Sequence, residues 1–199
     1  FEHSIYLEYI LKKDTATRGK AHILNTKINE MKLYNLLIDD KAESAETRRY
    51  LNWNKETLVE NMKNQYPGKE IKKHFEYMVE EYLKCFINEN PKLKQKWYSY
   101  DGTIKNFYDL CKHLGKVAEY NLIYRILSEY VHGTNTLRKF ELKPDIITIK
   151  HHSSQINLII PIIFKAIMES SVKILKYYNM EASLKEYKRI IKHRYKSFI

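Results

Sequence analysis

Apolar residues recur along most of this chain at three- and four-residue spacing, the period of an amphipathic α-helix. Ile5, Tyr9 and Leu11, set among charges, predict the end of a helix over residues 1–12. Asp14 or Thr15 can cap a second helix, which Ile23, Ile28, Met31, Leu33, Leu36 and Leu37 carry to about Asp39. Residues 40–53 are polar and suit either a loop or continued helix. Asn54 caps a short helix ending near Tyr66, where Pro67-Gly68 punctuates the chain. Ile71, Phe75, Met78, Val79, Tyr82 and Phe86 predict a helix over 69–88. Asn90-Pro91 reads as a further cap, and the basic, aromatic stretch 92–100 offers Trp97 as an anchor.

Asp101 can cap a helix through Ile104, Phe107, Leu110, Cys111 and Leu114 that stops at Gly115. Residues 120–134 then predict one amphipathic helix, with Leu122, Ile123, Ile126, Leu127 and Tyr130 toward the core and Gly133 at its end. The longest non-helical stretch, 135–152, holds one short extended candidate, Ile146-Ile147-Thr148-Ile149. Ser153 or Ser154 opens a long apolar helix to about Tyr178, bent at Pro161; Asn179 breaks it, and 181–197 form a basic last helix. The expectation is an all-α fold: one helical domain over 1–199, a bundle of six or seven helices, with one long loop after the 120–134 helix.

Composition supports helices, since 5 glycines and 4 prolines in 199 residues leave few breaks. The 17 tyrosines, with abundant Ile, Lys and Asn, are accounted for by an AT-rich genome before any role is assigned to them. A net charge of +11 favours polyanionic partners, chiefly nucleic acid or an anionic membrane surface. Cys85 and Cys111 have no neighbours at metal-ligand spacing and read as reduced core thiols of a cytoplasmic protein. The opening Phe-Glu-His-Ser is no signal peptide, and without an initiator methionine a preceding piece is expected. The apolar run Ile156–Met168 is broken by Asn157, Pro161 and Lys165, too short and polar for a bilayer, so no membrane is expected.

The candidate chemistry lies in the 120–134 helix. At about 100° per residue, Arg125 and His132 return to one stripe two turns apart, with Ser128 and Glu129 between them. Cleaving an RNA phosphodiester from its own 2′-OH needs a proton-transfer group and a fixed cation for the phosphate oxygens, but no metal. Histidine titrates near neutrality and arginine grips phosphate with a planar fork. An Arg and a His seven apart on an ordinary solvated face would look the same, and Glu129 can either orient Arg125 or simply neutralise it. The basic loop that follows supplies Arg138, Lys139, Lys143 and Lys150 as nucleic-acid contacts. His151-His152 lacks a completing carboxylate or cysteine, so no metal and no cofactor is expected. The Lys/Arg/His run in 185–196 suits nucleic acid or a solvated face equally, while Tyr177-Tyr178 and Trp97-Tyr98 read as core.

Arg125-x6-His132 at a helix end in an all-helical chain resembles the Arg-x4–6-His signature of the HEPN superfamily. Three pieces resemble, more locally, a bacterial HEPN-like family of unknown function. They are the opening Phe-Glu-x12-Thr-Ala-Thr-Arg, Lys96-Trp97-Tyr98 and Tyr124-Arg125-x2-Ser128-x3-His132-Gly133-Thr134. The resemblance implies a homodimer with two motifs apposed in a composite cleft and metal-independent RNA cleavage. His132 would move protons and Arg125 would hold the scissile phosphate. It also implies a toxin, abortive-infection or phage-defence setting, with an antitoxin or other defence-system partner. Ile126 stands where active members carry a polar residue, and so the alternative is a non-catalytic HEPN-like module that binds nucleic acid or protein.

Overall fold

The computed structural model describes residues 1–67, 70–87, 91–125, 128, 140–143, 146–149 and 153–195, with backbone alone for 140–143, 146–149 and 153–159. The chain is all-α apart from one two-stranded hairpin among these residues. It forms two compact units, Thr15–Lys105 and the combination of Phe1–Asp14 with Asn106–Ile199.

In the Thr15–Lys105 unit, α2 (Thr15–Ile38) is the hub, and α3 (Ala42–Tyr50), α4 (Lys55–Gln65) and α5 (Ile71–Leu83) each pack on it. Its buried stripe is Arg18, Ala21, Ile28, Met31 and Leu37. Ile23, Leu33 and Leu36, expected inside, are more than half exposed. Apolar spacing cannot rank the residues along a helix of 24 residues whose neighbours cover only part of it. The ambiguous polar stretch holds a helix, α3, because its Arg48 guanidinium donates to the carbonyl oxygens of Leu37 and Asp39. These are acceptors that the end of α2 leaves open. A left-handed Asn52 closes α3, with the Asn52 and Trp53 amides donating back to Arg49 and Arg48. Asn54 then caps α4 as expected, its Oδ1 accepting from the Glu56 amide at 2.7 Å.

α5 stops at Leu83, short of the expected 88, although Phe86 remains buried in the turn that follows. Trp97 is the anchor of 91–105, buried against His22 with ring centroids 4.6 Å apart, and Tyr98 is buried beside it. Asp101 does not cap a helix. Its carboxylate accepts from the amide and hydroxyl of Thr103 in a local turn with Gly102 left-handed, and the cap moves to Asn106.

In the other unit, α1 (Glu2–Lys12) packs on α6 (Phe107–His113) and on the long α8 (Ser153–Tyr177), which also carries α9 (Glu181–Arg194). Ile5 and Tyr9 fill the core side of α1, with Leu110 and Cys111 from α6 fully buried. Ser4 and Ser170 share a 2.9 Å hydrogen bond, and Lys173 pairs with Glu8. The extended candidate at 146–149 is a strand, β2 (Ile146–Ile149). It pairs antiparallel with a partner the periodicity missed, β1 (Phe140–Lys143), in the register Phe140 to Ile149. Pro161 stands inside α8. Asn179, left-handed, ends that helix, with the Asn179 and Met180 amides donating to Lys176 and Leu175.

Candidate functional site

The segment that carries Arg125 is built from α6 onward. Asn106 Oδ1 accepts from the Asp109 amide at 2.9 Å and starts α6. Gly115 ends it in the left-handed region, at φ 72°, while the Gly115 and Lys116 amides donate to Lys112 and Cys111. A single turn, α7 (Val117–Glu119), follows and then widens into a π-helical turn over Tyr120–Tyr124. The Arg125 amide donates to the Tyr120 carbonyl, five residues back. The wider turn inserts one residue, so Arg125, which follows it, is rotated about 100° from the phase of an unbroken α-helix.

Aromatic rings surround that turn. Tyr120 and Tyr124 stack at 5.0 Å with 25° between their planes, and Phe107 meets Tyr124 at 4.8 Å and Tyr120 at 6.1 Å. Tyr6 packs edge-on against Phe107 from α1. Burial, then the Glu2 carboxylate, push the Tyr124 phenol above its ordinary range, so it stays protonated at neutral pH. Within the turn itself, part of the expected core arc is overturned. Ile123 is 7% exposed, but Leu122, expected beside it, is 58% exposed.

Arg125 is helical and exposed, the first residue after the π turn, and Ser128 is helical and half-buried. Lys143 is the last residue of β1, opposite Ile146. His132, Glu129, Arg138, Lys139 and Lys150 lie outside the described residues, as do Ile126, Leu127 and Tyr130.

Beside this segment a groove of about 270 Å³ is lined by Ser4, Glu8, Lys116, Leu122, Ile162 and Glu169, among others. Sequence reasoning did not single it out, because its lining comes from α1, the π turn and α8, which are far apart in the chain. Lys116 bridges Glu119 at 3.1 Å and Glu169 at 3.6 Å. Burial lowers its pKa, but Glu119, Glu169 and Glu8 outweigh that and hold it above the ordinary lysine value. A second cavity, about 520 Å³ in the Thr15–Lys105 unit, is bounded by Leu33, Tyr34, Asn52, Trp53 and Asn61.

Cys85 and Cys111 are buried free thiols, and burial pushes Cys111 up to about 12, which makes it inert as a nucleophile. Among the described residues no three His, Cys, Asp or Glu side chains are grouped to hold a metal, and no helix is long and apolar enough to cross a membrane.

The profile of a protein family of unknown function matches residues 1–145, nearly three quarters of the chain. The chain belongs to the DUF5677 family. No curated protein and no solved structure matches it. The DUF5677 match takes in α1 to α7, the π turn, Arg125, His132 and β1, whereas β2, α8 and α9 lie beyond it.

Proposed function

We propose that this DUF5677 protein is a metal-independent endoribonuclease of HEPN type, acting as a homodimer in the cytoplasm in phage defence or as a toxin. The observation that carries the reading is Arg125, an exposed cation held on a helix directly after a π turn, seven residues before His132. π turns of this kind cluster at functional sites. In the reaction, the 2′-hydroxyl oxygen of the substrate attacks the adjacent phosphorus and the bond to the 5′ oxygen breaks. His132 of one copy takes the 2′ proton and gives a proton to the leaving 5′ oxygen, and Arg125 of the other copy stabilises the charge on the non-bridging oxygens. The products are a 2′,3′-cyclic phosphate and a free 5′-hydroxyl. Water is not consumed in this step, and no metal is required.

The test is cleavage of tRNA and total RNA in excess EDTA by the wild-type protein, Arg125→Ala and His132→Ala. EDTA-resistant cleavage should fall by about a hundredfold or more in each variant, within the range that general acid–base groups supply. Equal cleavage by all three proteins, or none by the wild type with or without an activating partner, sinks the enzymatic reading. Ile126 after the arginine favours one second reading, a non-catalytic module that binds RNA or protein through the same face. RNA binding that persists without cleavage would mark it.

A further inference from the structure

The α8–α9 hairpin lies beyond the DUF5677 match, and no step of RNA cleavage at Arg125 and His132 calls on it. Lys185, Lys188, Arg189 and Lys192 are all exposed on α9. At about 100° per residue they fall within an arc of about 100°, and on such a face residues three or four apart are direct neighbours. Leu184, Tyr187 and Ile191 occupy a separate arc of α9 and are half-buried, and Tyr195 just beyond the helix meets Phe164 of α8 at 4.8 Å. Arg189 is held by Glu186 through two hydrogen bonds, of 2.7 and 2.8 Å. Lys185, Lys188 and Lys192 have no acidic partner among the described residues, nor does Lys176 at the end of α8. Lys176 and Lys188 converge, with Lys173, on a groove of about 370 Å³ floored by Met168, Val172 and Ile191. Glu169, which also lines it, is engaged by Lys116 and Lys165. At the turn of the hairpin, Tyr177 and Tyr178 are 44% and 66% exposed and meet edge to face, where their sequence pattern predicts core.

We propose that the α8–α9 hairpin is a binding surface for single-stranded RNA. In it Lys176, Lys185, Lys188 and Lys192 hold backbone phosphates, and Tyr177 and Tyr178 stack bases. Cations without acidic partners among the described residues, held in a row, suit a polyanion, and exposed aromatic faces at the turn of the same hairpin distinguish a nucleic acid from other polyanions. An anionic membrane fits less well. A helix that lies in a bilayer surface needs a free apolar face beneath its own cations. The apolar arc of α9 is turned against α8, and the exposed stripe Ile160, Ile163, Ile167 and Ile174 belongs to α8, on the side away from Lys176. The surface gives a sequence-independent grip, leaving the choice of scissile bond to the site around Arg125. It rests on the reading that RNA is the substrate.

The experiment measures fluorescence anisotropy of a labelled single-stranded RNA with the full chain. Arg125→Ala is present in every sample to keep the RNA intact, and salt is varied. Lys176→Gln/Lys185→Gln/Lys188→Gln/Lys192→Gln should bind at least about tenfold more weakly at physiological salt. The slope of log K against log salt should shrink by about 0.7 for each phosphate that the variant no longer neutralises. Tyr177→Ser/Tyr178→Ser should weaken binding with little change in slope, and circular dichroism should show both variants folded. Unchanged affinity and slope in the lysine variant overturn the proposal, as does binding to phosphatidylserine vesicles without binding to RNA. Cleavage that fails while hairpin-dependent RNA binding persists rejects the nuclease reading and leaves this surface standing. Cleavage that succeeds while the lysine variant binds normally does the reverse.

Discussion

Glu81 shows how a single residue ties two helices of this protein together. Its carboxylate on α5 accepts from Lys20 of α2 at 2.6 Å and from Lys84 at 2.8 Å. Those two hydrogen bonds hold its pKa down to about 2, from an ordinary 4.5. A carboxylate depressed by folding contributes its stability above the unfolded-state pKa and loses it as the pH falls through the folded one. The contribution of Glu81 is therefore whole at neutral pH and fades between about 4.5 and 2. Urea unfolding of wild type and Glu81→Gln should show a gap at neutral pH that narrows steadily toward pH 3. A gap of constant size would mean that the ion pairs contribute nothing. At the same scale, Asn54 as a cap, Tyr9 and Leu110 as core and Trp97 as an anchor were legible in the sequence, because each follows from local chemistry. Leu33 and Leu36 were not, since which apolar residues of α2 are covered depends on where α3, α4 and α5 land.

Left-handed residues close α3, α6 and α8, at Asn52, Gly115 and Asn179, and the π turn is set by packing. Gly115 closes α6 at φ 72°, with no atom within 4 Å of where a Cβ would stand. Substitution there meets only the backbone penalty of the left-handed region. Gly115→Ala should cost about 1 kcal/mol in denaturant unfolding, and Gly115→Asn less, because asparagine tolerates that conformation. A larger loss for alanine would point to a steric role that the open space around Gly115 does not predict. The sequence placed this stop correctly, as it did the ends at Asn179 and near Tyr66. It did not reveal the widening at Tyr120–Tyr124, because a π turn has the composition of an α-helix. What distinguishes it is the ring contact of Tyr120 and Tyr124 with Phe107 from another element. β1 was missed for a related reason, since Phe-Glu-Leu-Lys becomes a strand when β2 lies beside it.

For the whole molecule, the HEPN reading makes the site a property of two chains rather than one. If catalysis uses an arginine from one copy and a histidine from the other in a shared cleft, inactive variants should complement. Arg125→Ala mixed with His132→Ala under conditions of subunit exchange should regain cleavage well above either variant alone. No regained activity, with heterodimers demonstrated, would place both residues of a working site in the same chain. The net charge of +11 belongs to this scale as well. It draws in a polyanion from a distance, whereas the position of the α8–α9 hairpin lysines without acidic partners among the described residues decides where the polyanion would rest.

The sequence alone determined the helical class of this protein, most helix boundaries and the seven-residue spacing of Arg125 and His132. Those depend on backbone periodicity, capping chemistry and the scarcity of glycine and proline, all of which act over a few neighbouring residues. Tertiary structure decided which apolar faces are covered, where the π turn falls ahead of Arg125, and that Tyr177 and Tyr178 are exposed on a hairpin with lysines that have no acidic partner among the described residues. Burial and pairing are relations between distant segments, so a one-dimensional pattern carries them only after the chain has folded.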